Sequence, residues 1–224
     1  MNQLTSLEPL VDETRRGQIV RRLRELIVKG SVEPGQKLTE TQLAEKLGVS
    51  RAPLREAIRE LVESGLVESI PYKGLFVRNV TRRDLEELYS LRTALEQFAF
   101  RECWENRTET AKQDLIRRHD ALIEEIANGK DPQRAIELEL VLHSWCYELS
   151  GHKLLLKSWE QMKPNLQFYF ILHQKAHNRC GPLREAHDIY VKSAIGDDLD
   201  AMLGHLHDHM RQGLQRTLKD VDFE

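Results

Sequence analysis

The residues best equipped for chemistry in this chain are a set of histidines and one glutamate. Glu139 and His143 stand four positions apart, as do His205 and His209, with His207 between the second pair. Side chains four apart project from one face of a helix, one turn above the other. His187 stands at the start of another helical stretch. A carboxylate and several imidazoles converging in a helical bundle offer hard oxygen and borderline nitrogen donors. Such a set suits a divalent transition metal. No cysteine accompanies them at matching spacing, which argues against a structural zinc site built on thiolates. The same Glu–His spacing also suits a surface ion pair, and a histidine near a helix end also suits a cap. Spacing alone leaves these readings open.

A second set is cationic. Residues 39–65 read TETQLAEKLGVSRAPLREAIRELVESG, and Arg51, Arg55 and Arg59 recur every fourth position in it. The stretch reads as a helix, a sharp turn and a second helix. Thr39 with Gln42 three residues on makes a capping-box pattern. Gly48 suits the left-handed backbone of a helix C-terminus, and Ser50 suits the cap of the next helix. Leu54, Ala57, Ile58, Leu61 and Val62 form the buried side, with Val49 packed inward, which puts the arginines on the other. Ser50, Arg51 and Arg55 then lie at the N-terminal end of the second helix. An arginine there can bond bidentately to guanine in a DNA major groove or pair with phosphate. Against this, Glu56, Glu60 and Glu63 are interleaved, which also describes a solvated, ion-paired face.

The elements that must position these two sets follow from pattern. The 224 residues are 40% hydrophobic and 31% charged, which indicates a folded globular chain rather than a disordered one. No apolar run approaches the roughly 20 residues a membrane helix needs, and residues 1–10 lack a signal-peptide pattern, so a cytoplasmic location is expected. The three cysteines, at 103, 146 and 180, read as free thiols. Net charge is −3, but residues 1–79 carry 13 Lys and Arg against 11 Asp and Glu, and the remainder 20 against 25. The excess of positive charge thus sits with the arginine set. Residues 1–11 read as a loose arm and Asp12–Lys29 as an amphipathic helix with Ile19, Leu23, Leu26 and Ile27 inward. Leu66–Ile70 and Leu75–Arg78 read as strands around a turn at residues 71–74, a β-hairpin wing. After Thr81 about six long helical patterns follow, joined by short breaks. Leu85, Leu88, Leu91, Leu95 and Phe98 or Ala99 mark the first. The fold class is mainly α: a winged helix-turn-helix over residues 1–79, then an all-α antiparallel bundle over 80–224.

Residues 12–78 resemble the winged helix-turn-helix domain of the GntR family of bacterial regulators. The match lies in Arg21–Leu26, in Glu33-Pro34-Gly35-Gln36-Lys37-Leu38, and in the run Leu43 through Ala57. The resemblance implies that Ser50, Arg51 and Arg55 contact DNA and that the wing at Lys73-Gly74 reaches the minor groove. Thr41 stands where some members carry an operator-reading arginine, so a different sequence preference is expected. Residues 81–220 resemble the all-helical effector domain of the FadR subfamily, called FCD. The match lies in Leu91-Arg92-Thr93-Ala94-Leu95-Glu96, in Glu139 and His143 followed by Ser150-Gly151-His152, in Ala186-His187, and in Gly196-Asp197 leading to His209. Metal-binding members hold an ion, commonly zinc or nickel, with an aspartate and three histidines. The matching positions here are Glu139, His143, His187 and His209, with glutamate in place of aspartate and His205 as a lesser candidate. The resemblance further implies an organic-acid effector in the open positions of the metal. Arg92 is a candidate to pair with that acid, and Gln167, Tyr169 and His173 are weaker candidates for the pocket wall.

The expectation is a homodimeric transcription regulator, most often a repressor in this family, which grips a palindromic operator. An effector in the bundle governs it, with a hinge near residues 79–81. The rivals are a metal-dependent hydrolase or oxygenase built on the bundle, and a regulator whose metal is purely structural.

Overall fold

In the computed structural model, residues 14–28, 30–177 and 181–220 are described. The expected arm at 1–11, the start of the first helix at Asp12, Cys180 and the side chain of His173 lie outside them. Apolar residues at helical spacing build α1 (Arg15–Val28), which buries Ile19, Val20, Leu23, Ile27 and Val28. Leu26 was expected to face inward but is 40% exposed. It falls at the edge of the stripe that Leu23 and Ile27 define, about 100° round the helix from Ile27. The helix packs on α3 (Arg51–Glu63), and the Arg16 guanidinium meets the Glu60 carboxylate at 2.7 Å.

Between them lies α2 (Glu40–Leu47), which ends on Gly48 at φ 63°, the left-handed conformation glycine takes without strain. The two expected side-chain caps do not form: neither Thr39 nor Ser50 makes a side-chain cap hydrogen bond. Both have extended backbone at the cap position, so the turn geometry is met by the backbone alone. On α3, Leu54, Ala57, Ile58 and Leu61 are buried.

The wing consists of β2 (Val67–Ile70) and β3 (Gly74–Val77), paired antiparallel with Ile70 opposite Gly74. A two-residue strand, β1 (Lys37–Leu38), adds to the far edge of β3, giving the order β1-β3-β2. Two residues carry no periodicity, so sequence pattern did not reveal β1. The hairpin tip puts Tyr72 at φ 63° and fully in solvent.

The bundle contains α4 (Arg82–Cys103), α5 (Glu109–Asn128), α6 (Pro132–Leu149), α7 (Lys153–His177), α8 (Arg184–Ile195) and α9 (Leu199–Asp220), with a 3-10 turn at Trp104–Asn106 after α4. A reciprocal capping box between Thr81 and Asp84 opens α4. Thr108 and Asp131 cap α5 and α6, and Pro132 occupies the first turn of α6, where its missing N–H costs nothing. The neighbouring pairs include α5–α6, α4–α9, α6–α7, α8–α9, α4–α6, α5–α8, α4–α7 and α7–α9. α6 is buried nearly all round, with Leu142, Trp145, Cys146 and Tyr147 in the core. On α4, Leu85 and Ala99 are buried, but Leu91 and Phe98 stand 53% and 41% exposed. Those two share a face turned from the bundle axis, while Arg92 and Glu96 occupy the inward face instead.

Candidate functional site

α6, α8 and α9 each deliver one histidine to the same point in the bundle. One ligand nitrogen from each of His143, His187 and His209 can be chosen so that all lie within 4.8 Å of one another. The ring centroids of His187 and His209 are 5.0 Å apart, and that of His143 is 5.5 Å from both. His143 and His187 are 0% and 2% exposed. Histidine at such depth needs its polar atoms engaged. The Nδ1 of His143 lies 2.6 Å from Glu96 Oε1, and the Nδ1 of His187 lies 3.0 Å from the Leu183 carbonyl. The carbonyl contact places the His187 proton on Nδ1, and an ionised Glu96 does the same for His143. The Nε2 atoms of both rings are buried and have no hydrogen-bond partner. Two orphaned imidazole nitrogens at one point, each braced from behind, are the pattern of metal-ligating histidines with outer partners.

Burial keeps these rings neutral, the form that binds a metal. It pushes the His143 and His209 pKa values well below the ordinary histidine value, with Arg92 and His187 adding to the effect on His143, and His187 and His143 adding to it on His209. Burial lowers His187 to about 4, although the Leu183 carbonyl partly opposes it. Glu139, on α6, has its carboxylate oxygen 3.7 Å from His187 Nε2. Burial raises its pKa to about 7, partly opposed by Arg92 and reinforced by Glu96. His205, the lesser candidate, lies outside the group of three: it is half-buried, and its ring centroid is 5.8 Å from that of His209.

Behind the histidines, Arg92 and Glu96 form a buried ion pair with a long 3.4 Å contact between Arg92 Nε and Glu96 Oε2. The Tyr190 hydroxyl donates to Glu96 Oε1 at 2.8 Å. Sequence reading did not single out Glu96. It looks like any helix glutamate, and only the partners that α6 and α8 bring to it distinguish it. Burial alone would lower the Arg92 pKa, but Glu96, Tyr89 and Glu139 outweigh that and hold it charged. Its Nη2 is buried without a partner. Arg92, Glu139, His187 and His209 share the wall of one cavity of about 90 Å³, with Phe170 and Gln174 contributed by α7. The expected wall residues Gln167 and Tyr169 are not among its lining. Tyr169 is instead buried beside the Arg78–Asp84 pair, because Phe170 and Gln174 occupy the α7 face turned to the cavity.

The cationic set lies in the winged unit. Ser50, Arg51, Arg55 and Thr41 are all exposed, and Thr41, Ser50 and Arg51 line one shallow surface depression. Arg55 is 61% exposed at its side chain and bonded by Nε to Glu40 at 3.0 Å. Lys73 and Gly74 sit at the wing tip, both exposed. Lys37, which sequence reading passed over, lies against Gly74 so closely that a Cβ there would approach its Cε to 3.3 Å.

A winged helix-turn-helix with an exposed cationic helix tip, attached to an all-helical bundle, is the architecture of a DNA-binding regulator. The chain belongs to the GntR family of bacterial regulatory proteins, in the branch that carries an FCD domain. Residues 15–77 match the model described as "Bacterial regulatory proteins, gntR family", and residues 87–215 match the FCD domain. It is 28% identical over 91% of both chains to the uncharacterized HTH-type transcriptional regulator YdhC of Bacillus subtilis (strain 168). It is 25% identical to the gluconate operon transcriptional repressor of Bacillus licheniformis, over 89% of this chain and 83% of that one. The structure of E. coli McbR/YncC has the same fold, with a TM-score of 0.77 over 93% of this chain and 99% of the other at 22% identity. Family and relatives are DNA-binding transcription regulators, which disposes of the enzyme alternative. Among the described residues no helix is long and apolar enough to cross a membrane.

Proposed function

We propose that this chain is a homodimeric, cytoplasmic repressor whose grip on a palindromic operator is set by a small organic acid bound beside a divalent metal, zinc or nickel. Residues 1–79 are the reading unit and residues 80–224 the sensing unit. The observation that carries this reading is the pair of buried, unpartnered Nε2 atoms of His143 and His187, gathered with His209 at one point, where His187 and His209 also line a cavity that holds a charged, under-bonded arginine. An unsatisfied buried nitrogen costs roughly 1–3 kcal/mol, so leaving two at one point without a ligand is unfavourable.

His143, His187 and His209 are the nitrogen donors and Glu139 the oxygen donor. When bound, the ion supplies a Lewis-acidic position for a carboxylate oxygen. Glu96 orients His143 and the Leu183 carbonyl orients His187. Arg92 Nη2 donates a charge-assisted hydrogen bond to the acid's carboxylate. On the DNA side, Arg51 and Arg55 read base edges or phosphate, Ser50 and the α3 N-terminus hold phosphate, Thr41 faces the same groove, and Lys73 and Gly74 carry the wing. Two copies are required because a palindrome mirrors a two-fold axis in the protein.

The test is selection of random duplex DNA by the full-length chain, followed by titration of the enriched duplex with and without a chelator. The expected result is a short inverted repeat whose affinity changes when the metal is removed. Enrichment of no sequence, or an inverted repeat bound equally well in both conditions, contradicts the reading.

A further inference from the structure

We infer that the acid taken by this cavity is a short dianion, and that Arg216 binds its second anionic group. The inference rests on the metal-and-acid reading above and adds a second subsite to it. His209, Gly213, Arg216 and Thr217 line the same cavity, at positions that follow one face of α9. Seven residues of helix separate His209 from Arg216, about 10 Å along the axis. Helical side chains lean toward the N-terminus, and the longer Arg216 side chain leans further than the His209 ring, so the two heads stand closer than their Cα atoms do. What remains is the span of a chain of about four or five carbons at ~1.5 Å per bond, with a carboxylate at each end.

Two further features support a path between the subsites. Gly213 lies between them, and a Cβ there would meet Tyr89 Cε1 at 3.2 Å. Glycine inside a helix costs about 1 kcal/mol relative to alanine, yet here its bare face leaves both the α4–α9 contact and the cavity floor clear. The charges also fit. Inside the cavity, Arg92 is offset by Glu96, and Glu96 already serves His143 and Tyr190. Glu139 offsets only half of a divalent ion. Arg216 is half-buried at the rim and has no ion-pair partner among the described residues. A monoanion leaves one cationic subsite unmatched, and a dianion matches both.

The experiment is calorimetric titration of the metal-loaded full-length protein with propionate, malonate, succinate and glutarate, with metal content measured before and after. The same series is run on Arg216→Gln. The wild type is expected to bind its best dicarboxylate at least tenfold more tightly than propionate. Arg216→Gln is expected to lose that preference while binding propionate within about twofold of the wild type. If the wild type binds propionate and the dicarboxylates alike, or the substitution leaves the preference intact, the dianion inference is overturned and the acid-sensing reading stands. If no carboxylate binds the wild type, both are overturned.

Discussion

The side-chain amide of Asn165 donates to the backbone carbonyl of Ser64 across 3.0 Å. Ser64 is the C-cap of α3, the helix whose other end carries Arg51 and Arg55. Asn165 sits on α7, which five and nine residues later presents Phe170 and Gln174 to the cavity. One helix therefore touches both the cavity and the base of the reading helix. The chain linker expected to act as the hinge is, by contrast, fastened. Arg78 pairs with Asp84, and Thr81 is locked into the capping box. Pro164 precedes Asn165 within α7 and removes a backbone hydrogen bond there, a place where a helix bends. A ligand in the cavity can shift the reading heads only through different affinity for two arrangements. The Asn165–Ser64 contact is where those arrangements are expected to differ.

Asn165→Ala should separate sensing from reading. Loss of one hydrogen bond costs about 1 kcal/mol, so the fold should survive with a slightly lower melting temperature. The ratio of operator affinities with and without bound acid should fall several-fold toward unity. Paired anisotropy titrations check this, and an unchanged ratio counts against α7 as the connection.

Arg51→Ala and Arg55→Ala should each weaken operator binding by roughly 1–3 kcal/mol without altering stability, since both side chains are exposed. Glu40→Gln removes the carboxylate that now holds Arg55. It should alter the preference among operator variants more than the overall affinity, because Arg55 keeps its charge but loses its brace. Gel-shift titration against operator variants separates the two effects.

Glu96→Gln should lower metal affinity by about 10–100-fold, the usual cost of losing an outer-shell carboxylate behind a ligating histidine. The amide still accepts from Tyr190 and from His143, but no longer offers charge to the imidazole. Competition titration against a chromogenic chelator measures the change. Wild-type affinity in this variant would leave Glu96 a merely structural group.

These sites differ in how far the sequence exposes them. The periodic Leu54, Ala57, Ile58 and Leu61 leave only one face of α3 for arginine, and the structure places Arg51, Arg55 and Arg59 there. The i, i+4 spacing of Glu139 and His143 puts them on one face of α6, but their meeting with His187 and His209 depends on how α8 and α9 pack, which local pattern does not encode. Resemblance named that set, and the structure brings its three histidines together. Glu96 and Gly213 carry no local signal, because their importance comes from partners distant in sequence. Leu26, Leu91 and Phe98 show the reverse error. An apolar residue near the stripe of a helix is not thereby buried, since the stripe marks a range of angles rather than contacts.

Protonation should destabilise the metal-free protein in weak acid. Each of the three histidines has a folded pKa below its unfolded value, about 4 against 6.5 for His187. The unfolded chain therefore binds protons first as pH falls. The stability His187 allows is fully present above about pH 6.5 and is lost as pH drops toward 4, at about 1.4 kcal/mol per unit for each net proton, and His143 and His209 act in the same direction. Glu139, raised to about 7, acts oppositely, because the folded state holds its proton longer. Glu96 is raised in the same direction. Three histidines outnumber two carboxylates, so denaturation midpoints should fall between pH 6.5 and 5. Metal should raise stability most above pH 7, where Glu139 is ionised and the imidazoles are free.

The most direct measurement is the amount of divalent metal held per chain after the purified protein is equilibrated with zinc and freed of unbound ion. The same measurement on His187→Ala removes one donor of the proposed set. The account predicts about one ion per wild-type chain and near none in the variant. A wild-type chain that retains no ion, or a variant that retains as much as the wild type, would contradict it.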